Sequence, residues 1–110
     1  MKRFKNLDIQ IQMANSDFEY YGFCSKIGAK SYEIFIHRDL SKEKMIETLM
    51  HEMVHVKQMA QNKLKMNKFG SFWGSVNYDN YDYEYLPWEI EAYELETLLT
   101  EQFLKYYESN

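Results

Sequence analysis

The apolar pattern changes period at Asp39-Leu40-Ser41, and that change limits the fold more than any other feature of the chain. Before it, Leu7, Ile9, Ile11 and Met13 alternate with Asp8, Gln10 and Gln12. Alternation puts every second side chain on one face of a half-buried strand. Asn15-Ser16-Asp17 reads as a turn, and the aromatic-rich stretch 20–27 as a second strand. Gly28-Ala29-Lys30-Ser31 reads as a hairpin connection, after which Tyr32, Ile34 and Ile36 alternate with Glu33, Phe35 and His37 in a third strand. The first third is expected to be an antiparallel β meander. After the change, Ile46, Leu49, Met50, Met53, Met59 or Ala60, and Leu64 recur at helical spacing. Ser41 is a suitable N-cap, and Glu43 falls in the first turn, where the helix dipole favours an anion. The predicted helix spans 42–63.

Residues 66–86 carry no clear period. Phe69-Gly70-Ser71-Phe72-Trp73-Gly74-Ser75-Val76 is compatible with a short hairpin or a strand, and 77–85 is a loop rich in Tyr and Asp. A connection of this length in a small domain is usually functional or mobile. Pro87 suits the first position of a second helix. Ile90, Tyr93, Leu98, Leu99, Phe103 and Tyr106 give that helix an apolar face reaching to about 107. The 110 residues are enough for one core, so the expectation is a single α+β domain over 1–110.

Composition narrows the function. Hydrophobic residues make up 45% and charged residues 27%, a globular balance. The net charge of -4 argues against a nucleic-acid partner, and the Lys63, Lys65, Lys68 cluster reads as a solvated face. Cys24 is the single cysteine, which rules out an internal disulfide and reads as a half-buried strand residue. Met1-Lys2-Arg3-Phe4 is followed by alternating polar residues, not by the continuous apolar stretch of a secretory signal. No window approaches the ~20 apolar residues of a membrane span. The chain is expected to be soluble and cytoplasmic, with no membrane partner.

The chemistry lies in His51-Glu52-Met53-Val54-His55. On a helix, residues four apart share a face, so both imidazoles can reach one ion. Zinc accepts neutral imidazole nitrogen well, and Glu52, beside the metal, can take a proton from a water. A catalytic zinc site needs a third protein ligand. The only other histidine, His37, precedes the motif and reads as a surface residue at a strand end. The third ligand is therefore expected to be a carboxylate or His37, and the best source of a carboxylate is Pro87-Trp88-Glu89-Ile90-Glu91-Ala92-Tyr93-Glu94. Glu91 is preferred, because small Ala92 beside it permits close helix approach. Glu89 and Glu94 are the competitors, with Glu94 also a candidate to hydrogen-bond a ligand histidine. Glu96 and Glu101 read as a solvated face. Trp73 and Trp88 read as core anchors, and Met50, Met53 and Met59 as filler under the metal helix.

Three segments carry a resemblance to a known family. Tyr32-Glu33-Ile34-Phe35-Ile36, the run from Glu47-Thr48-Leu49-Met50-His51 through Val56-Lys57-Gln58, and Pro87-Trp88-Glu89-Ile90-Glu91-Ala92-Tyr93 together resemble the small zincin-like, SprT-like metallopeptidases of tailed bacteriophages. They are also similar to the one-domain minigluzincins. The resemblance covers about 32–95. It implies a zincin-like fold, zinc on His51, His55 and Glu91, Glu52 as general base, and a host-cell cytoplasmic location. True SprT proteins use a downstream histidine that is absent here, and the Asp that often follows the gluzincin Glu has no clear counterpart. A peptide or protein substrate would lie beside the 32–36 strand, with one of Tyr78, Tyr81, Tyr83 or Tyr85 donating to the oxyanion. The alternative is a non-catalytic zinc scaffold that binds a host or phage protein.

Overall fold

The computed structural model describes residues 7–109; the basic N-terminal stretch Met1-Lys2-Arg3-Phe4 lies outside them. The chain is a small α+β protein with two three-stranded sheets and two long helices. Strands β1 (Asp8–Ala14), β2 (Gly22–Gly28) and β3 (Ser31–His37) form the first sheet in the order β1-β3-β2. β2 pairs antiparallel to β3, as a hairpin should, but β1 pairs parallel to β3, with Ile11 opposite Ile34. The expected meander is therefore corrected. Alternation identifies a strand and its faces but carries no information on its partner or direction. β3 has the most buried face, with Tyr32 at 1%, Ile34 at 0% and Ile36 at 3% exposure, and it takes the centre. The other two strands flank it, and β2 is left with an open edge. The strand at 32–36 has no free edge to offer a peptide.

Helix α1 (Lys42–Ala60) begins where the sequence predicts, with the Ser41 hydroxyl accepting from the Lys44 N–H. It stops three residues short of the predicted 63. Asn62 adopts a left-handed φ of 62°, a conformation that asparagine tolerates and that ends a helix. That turn releases Leu64 into β4 (Leu64–Asn67), which pairs with β5 (Gly70–Trp73) and β6 (Val76–Asn77) in the second, antiparallel sheet. A 3-10 turn at Tyr83–Tyr85 leads into helix α2 (Pro87–Ser109), opened by Pro87 as expected.

The core collects Tyr32, Ile34, Ile36, Val56, Met59, Leu64 and Trp88, so Trp88 and Met59 are the anchor and filler foreseen. Trp73 and Met53 pack against this cluster. α1 packs on β2 and β3, and α2 packs on α1. Ile11 and Met13 on β1 share the core face with Ile34 and Ile36 yet stay exposed. The apolar face predicted for α2 is also corrected: Ile90, Tyr93, Leu98, Phe103 and Tyr106 are exposed, and Leu99 is half-buried. The buried positions of α2 are Trp88, Ala92 and Glu96. The face turned to α1 carries acids at the site, so apolar periodicity does not mark it.

β2 approaches α1 most closely at Gly22. A Cβ added there would lie 2.5 Å from Thr48 Cγ2 and 3.2 Å from Glu52 Oε2. Gly22→Ala is expected to destabilise the fold by about 1–3 kcal/mol through overpacking. Adding Thr48→Ser, which removes that Cγ2, should recover part of the loss. Urea unfolding of the single and double variants checks this; equal loss in both would mean that Thr48 is not the obstacle.

Candidate metal centre

His51 and His55 lie one turn apart on α1, and both are buried. Their rings meet edge to face at 4.9 Å. Donor atoms of His51, Glu52 and His55 all lie within 4.8 Å of one another, a group that can hold a metal ion. A carboxylate from α2 closes over the pair. Glu89 Oε1 is 2.9 Å from His51 Nε2, and Glu89 Oε2 is 3.3 Å from His55 Nε2. Ligand atoms of a tetrahedral zinc site are roughly 3.3 Å apart, given bonds near 2.0 Å. The two distances from Glu89 to the imidazoles are close to that spacing.

The far nitrogens are held as well. His51 Nδ1–H donates to Glu96 Oε1 at 2.7 Å, and His55 Nδ1–H donates to Gln58 Oε1 at 2.8 Å. With both Nδ1 atoms donating elsewhere, the two Nε2 atoms, both against Glu89, are the pair that can face one ion. Gln58, at 1% exposure, is itself fixed: its Nε2 donates to the Trp88 carbonyl and to Glu91 Oε1, each at 3.0 Å.

These contacts reassign the acids of α2. Glu91, the preferred third ligand from the sequence, bonds Gln58 rather than facing either Nε2; Glu89 stands in that place. Glu94 is exposed, and Glu96, read as solvated, is buried at 7% and supports His51. The reason is helical geometry. Adjacency to Ala92 places Glu91 about 100° away from the tightly packed face, whereas Glu89 and Glu96, three residues before and four after Ala92, lie on it. The spacing Glu89-x-x-Ala92-x-x-x-Glu96 was the signal available. Gln58 was missed too; its signal is its position one turn after His55. His37 takes no part: its Nδ1 accepts from the Asp39 N–H.

Of the four loop tyrosines, Tyr83 faces the centre. Its hydroxyl donates to Glu89 Oε1 at 3.0 Å and lies 3.1 Å from the Tyr93 hydroxyl. Tyr93 packs edge-on against His51 at 4.6 Å. Tyr78 packs against Trp88 and Tyr81, away from the histidines.

Protonation follows from these neighbours. Burial pulls the His51 pKa down, but hydrogen bonds to Glu89 and Glu96 outweigh it, and the net shift is upward. His55 behaves alike: burial lowers it, Glu89 raises it further, and it ends above its ordinary value. Burial raises Glu89, yet its bonds to both histidines bring it down to about 2. Burial dominates at Glu52 and lifts its carboxyl above the usual range, against the pull of the two histidines. No family model matches the chain, and no curated protein or solved structure matches it either.

The metal-free chain should therefore depend on pH in a defined way. The raised histidines stabilise the fold fully below their ordinary value of 6.5 and stop doing so as pH rises through the raised values. Glu89 stabilises fully above its ordinary 4.5 and stops doing so only as pH falls through about 2. Glu52, with a raised pKa, costs stability as pH rises. Thermal unfolding of chelator-treated protein should show a Tm that falls from pH 6 to pH 8. A Tm that is flat or rises over that interval would mean the carboxylate–imidazole pairs are not formed.

Proposed function

We propose that the protein is a zinc-dependent metallopeptidase of the zincin type, with His51, His55 and Glu89 as zinc ligands and Glu52 as the general base. The observation that carries this reading is the single carboxylate, Glu89, set against both Nε2 atoms while both Nδ1 atoms are engaged elsewhere. Two imidazoles, one carboxylate and an adjacent free acid form the donor chemistry of a catalytic rather than a structural zinc site. Zinc bound there would supply Lewis acidity, polarising the scissile carbonyl and lowering the pKa of a water.

The chain's own residues provide the rest. Glu52 takes a proton from the attacking water and passes it to the leaving amine; a carboxyl raised by burial is better matched to that exchange near neutral pH. Glu96 and Gln58 hold the two imidazoles in orientation. Tyr83 is the loop tyrosine beside Glu89, and its O–H would donate to a developing oxyanion once turned from that carboxylate.

The substrate backbone has an open edge to pair with. Tyr21 O accepts from His37 N–H at 2.8 Å, which turns the backbone groups of Tyr21 and Phe23 toward β3. In an antiparallel ladder the alternate residues, Gly22 and Cys24, then present N–H and C=O outward. A peptide added along β2 would run past Glu52.

Glu52→Gln is expected to lower hydrolysis of a peptide library by ~100-fold or more while zinc stays at one per chain. Glu89→Ala should weaken zinc binding most. Glu96→Gln should weaken it by roughly 10–100-fold, as loss of a supporting hydrogen bond does, and Glu91→Ala only slightly. Elemental analysis and competition with a zinc indicator give the order. Zinc binding without hydrolysis in the wild-type chain would favour the non-catalytic scaffold, and Glu91→Ala as the most damaging change would overturn the ligand set.

A further inference from the structure

β1 stands at the edge of the first sheet, far from the role of β2. It pairs with β3 on one side, and among the described residues no strand lies on its other side. Helix α1 packs on β2 and β3, and Ile11 and Met13 on the helix side of β1 stay 53% exposed each. Edges are usually blunted by lysine, proline or a bulge, because a row of unpaired N–H and C=O groups invites another chain. β1 has none of these. Over Asp8–Ala14 its one charged side chain is Asp8, and its register with β3 runs unbroken. The β2 edge differs, carrying Lys26 and a register shift between Lys26 and Gly28.

The backbone fixes which groups of β1 face outward. Asp8 N–H donates to the Lys30 carbonyl at 2.8 Å, and the Ala14 carbonyl accepts from Arg38 N–H at 3.3 Å. Backbone groups alternate sides along a strand, so Asp8, Gln10, Gln12 and Ala14 turn theirs toward β3. Ile9, Ile11 and Met13 turn theirs outward. The same three residues place their side chains on the face of Tyr32, Ile34 and Ile36.

A second β1, laid antiparallel about a twofold axis at Ile11, matches this edge at every position. Ile11 then faces Ile11 of the other copy, Ile9 faces Met13, Gln10 faces Gln12, and Asp8 faces Ala14. Each hydrogen-bonded pair of the new ladder joins two outward-facing residues, as an antiparallel ladder requires. A slip of one residue would set outward groups against inward ones and apolar side chains against amides. No like charges meet, since Asp8 falls opposite Ala14. The isoleucines and methionines of both copies gather on one face, continuing the apolar side of the sheet.

We propose that β1 is a self-association edge, through which two copies of the chain join their three-stranded sheets into one sheet ordered β2-β3-β1-β1-β3-β2. The contact is isologous, the same patch on both copies, and closes as a dimer. Its axis stands perpendicular to the sheet, so α1 of both copies lies on the same face. Both β2 edges stay free at the far ends. The inference depends neither on a metal nor on hydrolysis.

The test uses the full chain. Sedimentation equilibrium should show a mass rising from 13.4 kDa toward twice that value as concentration approaches about 1 mM, since a two-strand contact belongs with small, weak interfaces. Hydrogen exchange followed by NMR should slow several-fold with concentration at the amides of Ile9, Ile11 and Met13, and not at Cys24 on the β2 edge. That measurement needs no variant. Ile11→Lys, at an exposed position, sets like charges together at the axis and should return the mass to one chain with an unchanged circular dichroism spectrum. Ile11→Glu should do the same, and an equimolar mixture of the two should associate again, because lysine then meets glutamate. A mass that stays at one chain at the highest concentration overturns the proposal. So does association that persists in Ile11→Lys, or exchange that slows at Cys24 instead of Ile11, since the copies would then meet through another surface. Variants that fail to associate on mixing overturn the register centred on Ile11.

Discussion

The structure turns on one buried ionic arrangement between two helices. Glu89 and Glu96 on α2 reach the two histidines of α1 and are bonded to them. Taking these groups out of water costs several kcal/mol per ion unless they are paired and hydrogen-bonded, and here each finds a partner. The arrangement leaves the α1–α2 interface little freedom. Small Ala92, fully buried, sits between the two acids in the sequence and lets the helices close. Gln58 ties the same interface at its other end by holding His55, the Trp88 carbonyl and Glu91 together. Stability and the candidate chemistry draw on the same contacts.

The first sheet serves this interface. β3 supplies the apolar base beneath α1, and β2 brings its backbone against Thr48 and Glu52 at Gly22, where a side chain would not fit. The second sheet closes the other flank, with Leu64 entering the core just after α1 ends at Ala60 and the chain turns at Asn62. A cleft results whose walls come from β2, α1, α2, β4 and the tyrosine turn at 83–85.

Much of this was legible in the sequence, and the failures share a cause. The strands, Ser41 as cap, Pro87 as helix start and the two histidines on one helix face were each written in short-range patterns. Whatever depended on which face met which neighbour was not. Alternation in 7–13 gave a strand but not its parallel pairing with β3. Counting apolar residues on α2 selected Ile90, Tyr93 and Leu98, which are exposed, because the face that packs on α1 is polar where it meets the histidines. Glu91 was favoured by its adjacency to Ala92, yet side chains share a helix face at three and four residues, not at one. Expectations about partners, substrate and location stay with the sequence reading; no helix among the described residues is long and apolar enough to cross a membrane.

Glu89 and Glu96 also bear on how such a chain tolerates changes in length. They are seven residues apart, two turns of one helix, and they serve the same imidazole from opposite sides. A single inserted residue between them would swing one acid about 100° relative to the other, so that both could no longer meet His51. An insertion in the loop before Pro87 would leave that relation intact, because Trp88 and Ala92, buried against the core and α1, index the helix independently of what precedes it. Changes in length are thus tolerable in the loop before Pro87 and not between the two acids.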